Sequence, residues 1–229
     1  MSAIDLDALD VQFTAFHARF AHHFYRSEYR QRSARYLRAL LSPVVRKNGW
    51  QLAEAMGEAD PNGAQRLLFG ARWDADAVIT TLQTVVMASF GDPTDGVLVI
   101  DETGFLKKGT HSVGVARQYS GTAGKVENCQ IGVFLTYASA HGATFLDRRL
   151  YLPEAWTQDR ERCQAAHVPA TVSFQTKPQL ARTMLADAFE HGVRAGWVTA
   201  DSVYGSDRSL WVWLARCRQS FVLGVRSSE

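Results

Sequence analysis

Disulfide chemistry has little to work with in this chain. Its 229 residues hold three cysteines, Cys129, Cys163 and Cys217, far apart and without a C-x-x-C pair. That argues for reduced thiols in a cytoplasmic protein and against a disulfide frame. Long apolar runs are also missing. The stretches are short, such as Val97–Ile100, whereas a membrane span needs about 20 apolar residues. The segment Met1–Asp10 is acidic and has no charged-then-apolar leader, so no signal peptide is expected. There is no internal repeat and no low-complexity tract. Net charge is small as well, with 25 Lys and Arg against 23 Asp and Glu. What is there is 46% hydrophobic and 21% charged residues. That is the mix of a globular protein with a sizeable core, and it excludes disorder, collagen and coiled coil. At roughly 150 residues per domain, the length allows one large domain, or one domain with a helical annex.

Charge is distributed unevenly. Between Arg19 and Lys47 stand eight basic residues, Arg19, Arg26, Arg30, Arg32, Arg35, Arg38, Arg46 and Lys47, against one acid, Glu28. Such a stretch fits a polyanion partner, or a solvated helix face on which Arg serves helix propensity.

The front reads as helical and the back as α/β. Phe13, Phe16, Phe20 and Phe24 recur at helical spacing, which predicts one long or broken helix over 7–41. Pro43 ends it. Shorter helices are expected over 44–56 and 64–68, with a turn at Asp60–Gly63. Asp74 can cap a helix running to Phe90. Gly91–Gly96 is the best linker, so the domains are expected at 1–93 and 94–229. Beyond it, Val97–Ile100 reads as a short strand ending at Asp101. The alternating runs 128–137 and 144–152 read as a hairpin. Pro178 opens a helix that Gly192 closes. Trp197–Ala200 is a strand ending at Asp201, followed by a helix over 206–218 and a strand over 221–225.

That order builds a mixed sheet with helices on it. The right-handed crossover rule sets the strand before Asp201 parallel to and beside the strand before Asp101. Both aspartates then lie at one sheet edge, where ligands of such sheets bind. Two neighbouring carboxylates repel unless one is protonated or a cation sits between them. Mg²⁺ takes one or two carboxylates plus waters and phosphate oxygens. A pair of such ions about 4 Å apart promotes phosphodiester cleavage. An ordinary turn aspartate after each strand is the alternative.

The motifs narrow this. Asp101-Glu102-Thr103-Gly104-Phe105-Leu106-Lys107-Lys108-Gly109, followed by Ser112-Val113-Gly114-Val115-Ala116-Arg117-Gln118-Tyr119-Ser120-Gly121, resembles the first catalytic block of bacterial insertion-sequence transposases of the DDE superfamily. Asn128-Cys129-Gln130, Leu150-Tyr151-Leu152-Pro153 and Trp156 are similar to the segments that follow in those enzymes. Val198-Thr199-Ala200-Asp201-Ser202-Val203-Tyr204-Gly205 resembles the second acidic block. The likeness runs from about residue 30 to the end. It implies a ribonuclease-H-like catalytic domain, a Mg²⁺ or Mn²⁺ cofactor, double-stranded transposon-end DNA as partner, and a homo-oligomer on that DNA. Asp101 and Asp201 correspond to the first two metal-binding acids.

The family's third acid, a glutamate on a helix beyond the strand matched by 221–225, sits in a Tyr-x₂-Arg-x₃-Glu pattern that this sequence does not contain. The chain therefore reads as a truncated or frame-interrupted transposase. Its spare acids are Glu102, which strand alternation points away from Asp101, Asp207, expected in a first helical turn, and Glu229.

Other patterns carry less. Gly121-Thr122-Ala123-Gly124-Lys125 lacks the first Gly and the Ser/Thr of a phosphate loop. Cys163 and His167 have ligand spacing without a second pair. Ser112 lacks the first Gly of a nucleophile elbow. His17, His22 and His23 fit a phosphate contact or a solvated face. Trp156, Trp211 and Trp213 fit base stacking or packing. Residues 44–68 fit a helix-turn-helix. The expectation is an α/β (α+β), ribonuclease-H-like mixed sheet with flanking helices, incomplete at its C-terminus, behind an all-α front. The function expected is metal-dependent cleavage and joining of DNA through Asp101 and Asp201. Arg26, Arg30, Arg32, Arg35, Arg38, Lys107, Lys108, Arg117 and Lys125 are the expected DNA contacts. The rival is a catalytically dead transposase that binds DNA or intact enzyme and inhibits it. An unrelated α/β hydrolase is the third class.

Overall fold

A computed structural model describes residues 6–226, and so leaves Glu229 outside the described residues. The chain divides into two compact units with the boundary between Thr81 and Leu82.

The first unit is all helix. α1 (Leu6–Ala21) and α2 (Ser27–Leu41) replace the single long helix that the Phe spacing allows. The break at 22–26 brings Phe24 into an isolated bridge with Trp73, their rings 5.4 Å apart. Phe20 and Phe24 are buried, whereas Phe16 is exposed. α3 (Gly49–Ala55) starts five residues later than expected, because the Asn48 side chain caps it by accepting from the Gln51 N–H. α4 (Asn62–Phe69) follows, and α5 (Ala75–Phe90), which runs across the boundary into the second unit, begins after Asp74, whose carboxylate accepts from the Asp76 and Ala77 amides. Leu52, Ala53, Ala64 and Leu67 lie in the core of this unit.

The second unit is a mixed six-stranded sheet with helices, the ribonuclease-H-like α/β arrangement that the resemblance implies. Its strands are β1 (Val97–Leu106), β2 (Ala116–Ser120), β3 (Lys125–Ser139), β4 (Gly142–Tyr151), β5 (Trp197–Ala200) and β6 (Ser220–Leu223). The sheet order is β2-β3-β1-β5-β6, with β4 also paired to β3. β1 does not stop at Asp101. It pairs antiparallel with β3 through Leu106, so Asp101 is a mid-strand residue opposite Phe134. The polar Asp-Glu-Thr-Gly run looks like a turn, but the long apolar partner strand keeps it extended. Cys129 pairs with Leu106 on one side and Ala116 on the other, so β2 and β4 share one edge of β3. β2 is a strand that the sequence did not reveal, as are the short helices α6 (Glu154–Gln158), α7 (Arg160–Ala165) and α9 (Ser202–Gly205).

One face of the sheet carries the core. Leu98, Ile100, Val133, Leu135, Tyr137, Leu146 and Val198 pack with Leu180, Ala181, Met184, Leu185 and Ala188 of α8 (Lys177–Glu190). α8 starts in a capping box between Thr176 and Gln179. α10 (Arg208–Arg216) adds Leu210 and Leu214, and Val86 of α5 joins the same cluster.

Candidate active site

Asp101 and Asp201 reach the same place by register. β1 and β5 run parallel, with Ile100 opposite Ala200. The next residue of each strand is an aspartate, and neighbouring strands lie about 4.8 Å apart. Ile100 and Ala200 both point into the core, so alternation turns Asp101 and Asp201 to the opposite face. Both are exposed. Asp101 Oδ1 accepts from the Glu102 N–H at 2.7 Å, and Asp201 Oδ1 accepts from the Val203 N–H at 2.9 Å as the cap of α9. Neither forms an ion pair with a described residue. Two exposed carboxylates, each next in chain to a residue of one parallel pair and unneutralised by any described Lys or Arg, fit a divalent cation that keeps several waters.

The two spare acids among the described residues are committed elsewhere. Glu102 lies on the core face, and its two oxygens accept from Lys177 Nζ at 2.6 Å and from the Tyr204 hydroxyl at 2.7 Å. Asp207 is the N-cap of α10 rather than a residue of its first turn, accepting from the Leu210 N–H and the Ser209 hydroxyl. Among the described residues no group of three His, Cys, Asp or Glu side chains is placed to hold a metal. Tyr204 is fully buried three residues after Asp201. Its phenol is raised far above its ordinary range, by burial foremost, then by the Glu102 hydrogen bond and the charges of Glu102, Asp201 and Asp101.

The cations of this unit lie further along the sheet. Lys107 follows Asp101 by six residues of extended chain, so the two Cα atoms are about 20 Å apart. Lys107 and Arg117 flank Asn128, which binds the carbonyls of Lys107 and Gly109 through its side-chain amide. Gln130 holds the Val113 carbonyl at 2.5 Å and Gln118 that of Cys129 at 2.9 Å. Asn128 and Gln130 therefore shape the loop after β1, a role that their sequence neighbourhood did not disclose. Lys108 is exposed. Lys125 pairs with Glu127 at 2.9 Å, a contact that lowers the Glu127 carboxyl.

In the first unit, Arg26, Arg30 and Arg35 are exposed. Arg32 is paired with Glu58 at 2.9 Å, and Arg38 with Asp10 at 2.6 Å while lying over the Phe13 ring. His17 is buried, bonded to Ser33 at 2.8 Å, and so is no phosphate contact. Gly121–Lys125 is a tight β2–β3 turn, not a strand-to-helix phosphate loop. Cys163 is buried and donates to the Trp156 carbonyl, while His167 is exposed. Trp156 is core, its Nε1 bound to the Val115 carbonyl at 2.8 Å. Trp213 stacks on Phe189.

A profile of the family described as DDE superfamily endonuclease matches residues 19–229. The chain belongs to the DDE superfamily. It is also 30% identical, over 192 residues, to a protein of Microchaete diplosiphon described as a probable transposase for insertion sequence element IS701. That alignment covers 82% of this chain and 47% of the relative, so the chain spans about half the length of the curated relative it matches. No helix among the described residues is long and apolar enough to cross a membrane.

Proposed function

We propose that this DDE chain is a transposase polypeptide that works on transposon-end DNA in the cytoplasm, with Asp101 and Asp201 holding Mg²⁺ or Mn²⁺. The observation that supports the reading is the parallel Ile100–Ala200 pairing, each residue followed by an exposed aspartate that forms no ion pair with a described residue. When bound, the ion supplies positive charge at the scissile phosphate and acidifies a water or a DNA 3′-hydroxyl for attack. Asp101 and Asp201 orient that ion. Lys107, Lys108, Arg117 and Lys125, on the β1–β3–β2 extension, and the exposed Arg26, Arg30 and Arg35 of the helical unit contact the DNA backbone. A homo-oligomer on DNA accompanies this role.

The described residues supply two acids, because Glu102 and Asp207 are bonded elsewhere. Plasmid nicking in Mn²⁺ tests the reading. Feeble nicking is expected, lost in Asp101→Ala and in Asp201→Ala. Nicking without a cation, or indifferent to both substitutions, contradicts it. Among the described residues no third acid joins the pair, which favours a second reading, in which the chain binds DNA or an intact transposase and inhibits it. Its signature is DNA binding without nicking, and suppression of an active relative in a mixed assay.

A further inference from the structure

The backbone ladder between β1 and β5 ends at Ile100 and Ala200, one residue short of the two aspartates. Asp201 leaves the ladder and becomes the cap of α9, with the Tyr204 and Gly205 amides donating to its carbonyl. Asp101 stays in β1. The like charges of Asp101 and Asp201 repel. On the opposite, buried face of the sheet the residue after Asp101 is joined to the residue three after Asp201. Tyr204 donates its hydroxyl to Glu102 at 2.7 Å. Lys177, the first residue of α8, donates to the other Glu102 oxygen at 2.6 Å, which neutralises the carboxylate and fixes its orientation.

We propose that the Glu102–Tyr204 hydrogen bond, anchored by Lys177, is a brace beneath the sheet that sets the spacing of Asp101 and Asp201. Glu102 and Tyr204 are then positioning residues of the cation site and touch neither cation nor DNA. The inference rests on the cation site proposed above. Several features of the sequence meet in this brace. Glu directly follows Asp101, so alternation buries it. Tyr lies one helical turn after Asp201, so a single-turn helix carries its ring under the sheet. Gly205 follows because a Cβ there would meet the Gly224 carbonyl oxygen at 1.8 Å. The bond joins two charged or polar groups in a dry setting, where hydrogen bonds to a carboxylate are short and directional.

The test is Mn²⁺ binding to the full chain, followed by electron paramagnetic resonance titration of the free ion, with thermal melts in parallel. Tyr204→Phe removes one oxygen and keeps the ring. Its Mn²⁺ affinity is expected to fall about tenfold, the scale seen when an outer-shell partner of a metal ligand is lost. Glu102→Gln still offers Tyr204 a hydrogen-bonding partner and is expected to stay within about threefold. Tyr137→Phe is the control. It deletes another buried hydroxyl, bonded to Asp92 and Arg194 away from the aspartates, so the melting temperature should fall with the affinity unchanged. Wild-type affinity in Tyr204→Phe overturns the brace and leaves the cation site standing. Equal losses in Tyr204→Phe and Tyr137→Phe, or in Tyr204→Phe and Glu102→Gln, overturn it too. Wild-type chain without Mn²⁺ binding that depends on Asp101 overturns the site and the brace together.

Discussion

Ile100 and Ala200 pair side by side in parallel strands, each one residue before an aspartate. This single register relation joins positions 100 residues apart and creates the candidate active site. A one-residue slip of β5 would turn Asp201 to the core face. The flanking packing resists such a slip, since Leu98, Ile100, Val198 and Ala200 all belong to one buried cluster.

Gly205→Ala should destabilise the second unit by about 1–3 kcal/mol, the usual cost of an atom with no room. The added Cβ would lie 1.8 Å from a backbone oxygen of Gly224, which cannot swing aside as a side chain would. Urea unfolding of wild type and variant measures the difference, and an unchanged midpoint contradicts the packing described.

The helical unit should lose stability in mild acid. Burial, and secondarily the charge of Arg38, hold His17 below its ordinary value of 6.5. The Ser33 hydroxyl donates to the Arg30 carbonyl, which leaves it to accept from His17 Nε2. The unfolded chain then takes up a proton more readily than the folded one. The stabilisation is complete above pH 6.5 and declines as pH falls towards the lowered folded value. His23, lowered by burial and by His22, adds to the same trend. Urea midpoints at pH 7.5 and 5.5 should fall further for wild type than for His17→Gln. Equal falls would remove His17 as a source.

DNA binding should depend on salt, and the arginines of α2 and its N-cap should divide into two groups. Arg26 and Arg35 are exposed and carry no ion pair with a described residue. Replacing either with Ala in the full chain should reduce the slope of log K against log salt by about one. Arg32→Ala should act mainly on stability, because it strands the largely buried Glu58 carboxylate. Fluorescence anisotropy at several salt concentrations, beside thermal melts, separates the two. A slope indifferent to Arg26 and Arg35 contradicts a DNA role for this face.

Much of this was legible in the sequence, for identifiable reasons. Short apolar runs before Asp101 and Asp201 gave the parallel pair, because buried strands need such runs and crossovers have one hand. Pro178, Asp74 and Gly192 marked helix ends through ordinary helix-end chemistry. What stayed hidden depended on distant partners. The extension of β1 past Asp101 is imposed by β3, and polar Asp101–Gly104 carries no strand signal of its own. β2 is equally polar and exists because it completes the edge of β3. The link from Glu102 to Tyr204 spans 102 positions, and no local pattern encodes it.

The most direct test of the central claim loads the full chain with Fe²⁺ in place of Mg²⁺ and adds ascorbate and peroxide. Hydroxyl radicals formed at the bound iron cut the nearest backbone, and mass spectrometry reads the cut positions. Cuts are expected to cluster at both residue 101 and residue 201, to be suppressed by excess Mg²⁺ and to be lost together in Asp101→Ala. Cuts at only one of the two strands, or a pattern that Asp101→Ala leaves unchanged, would contradict a cation shared by Asp101 and Asp201.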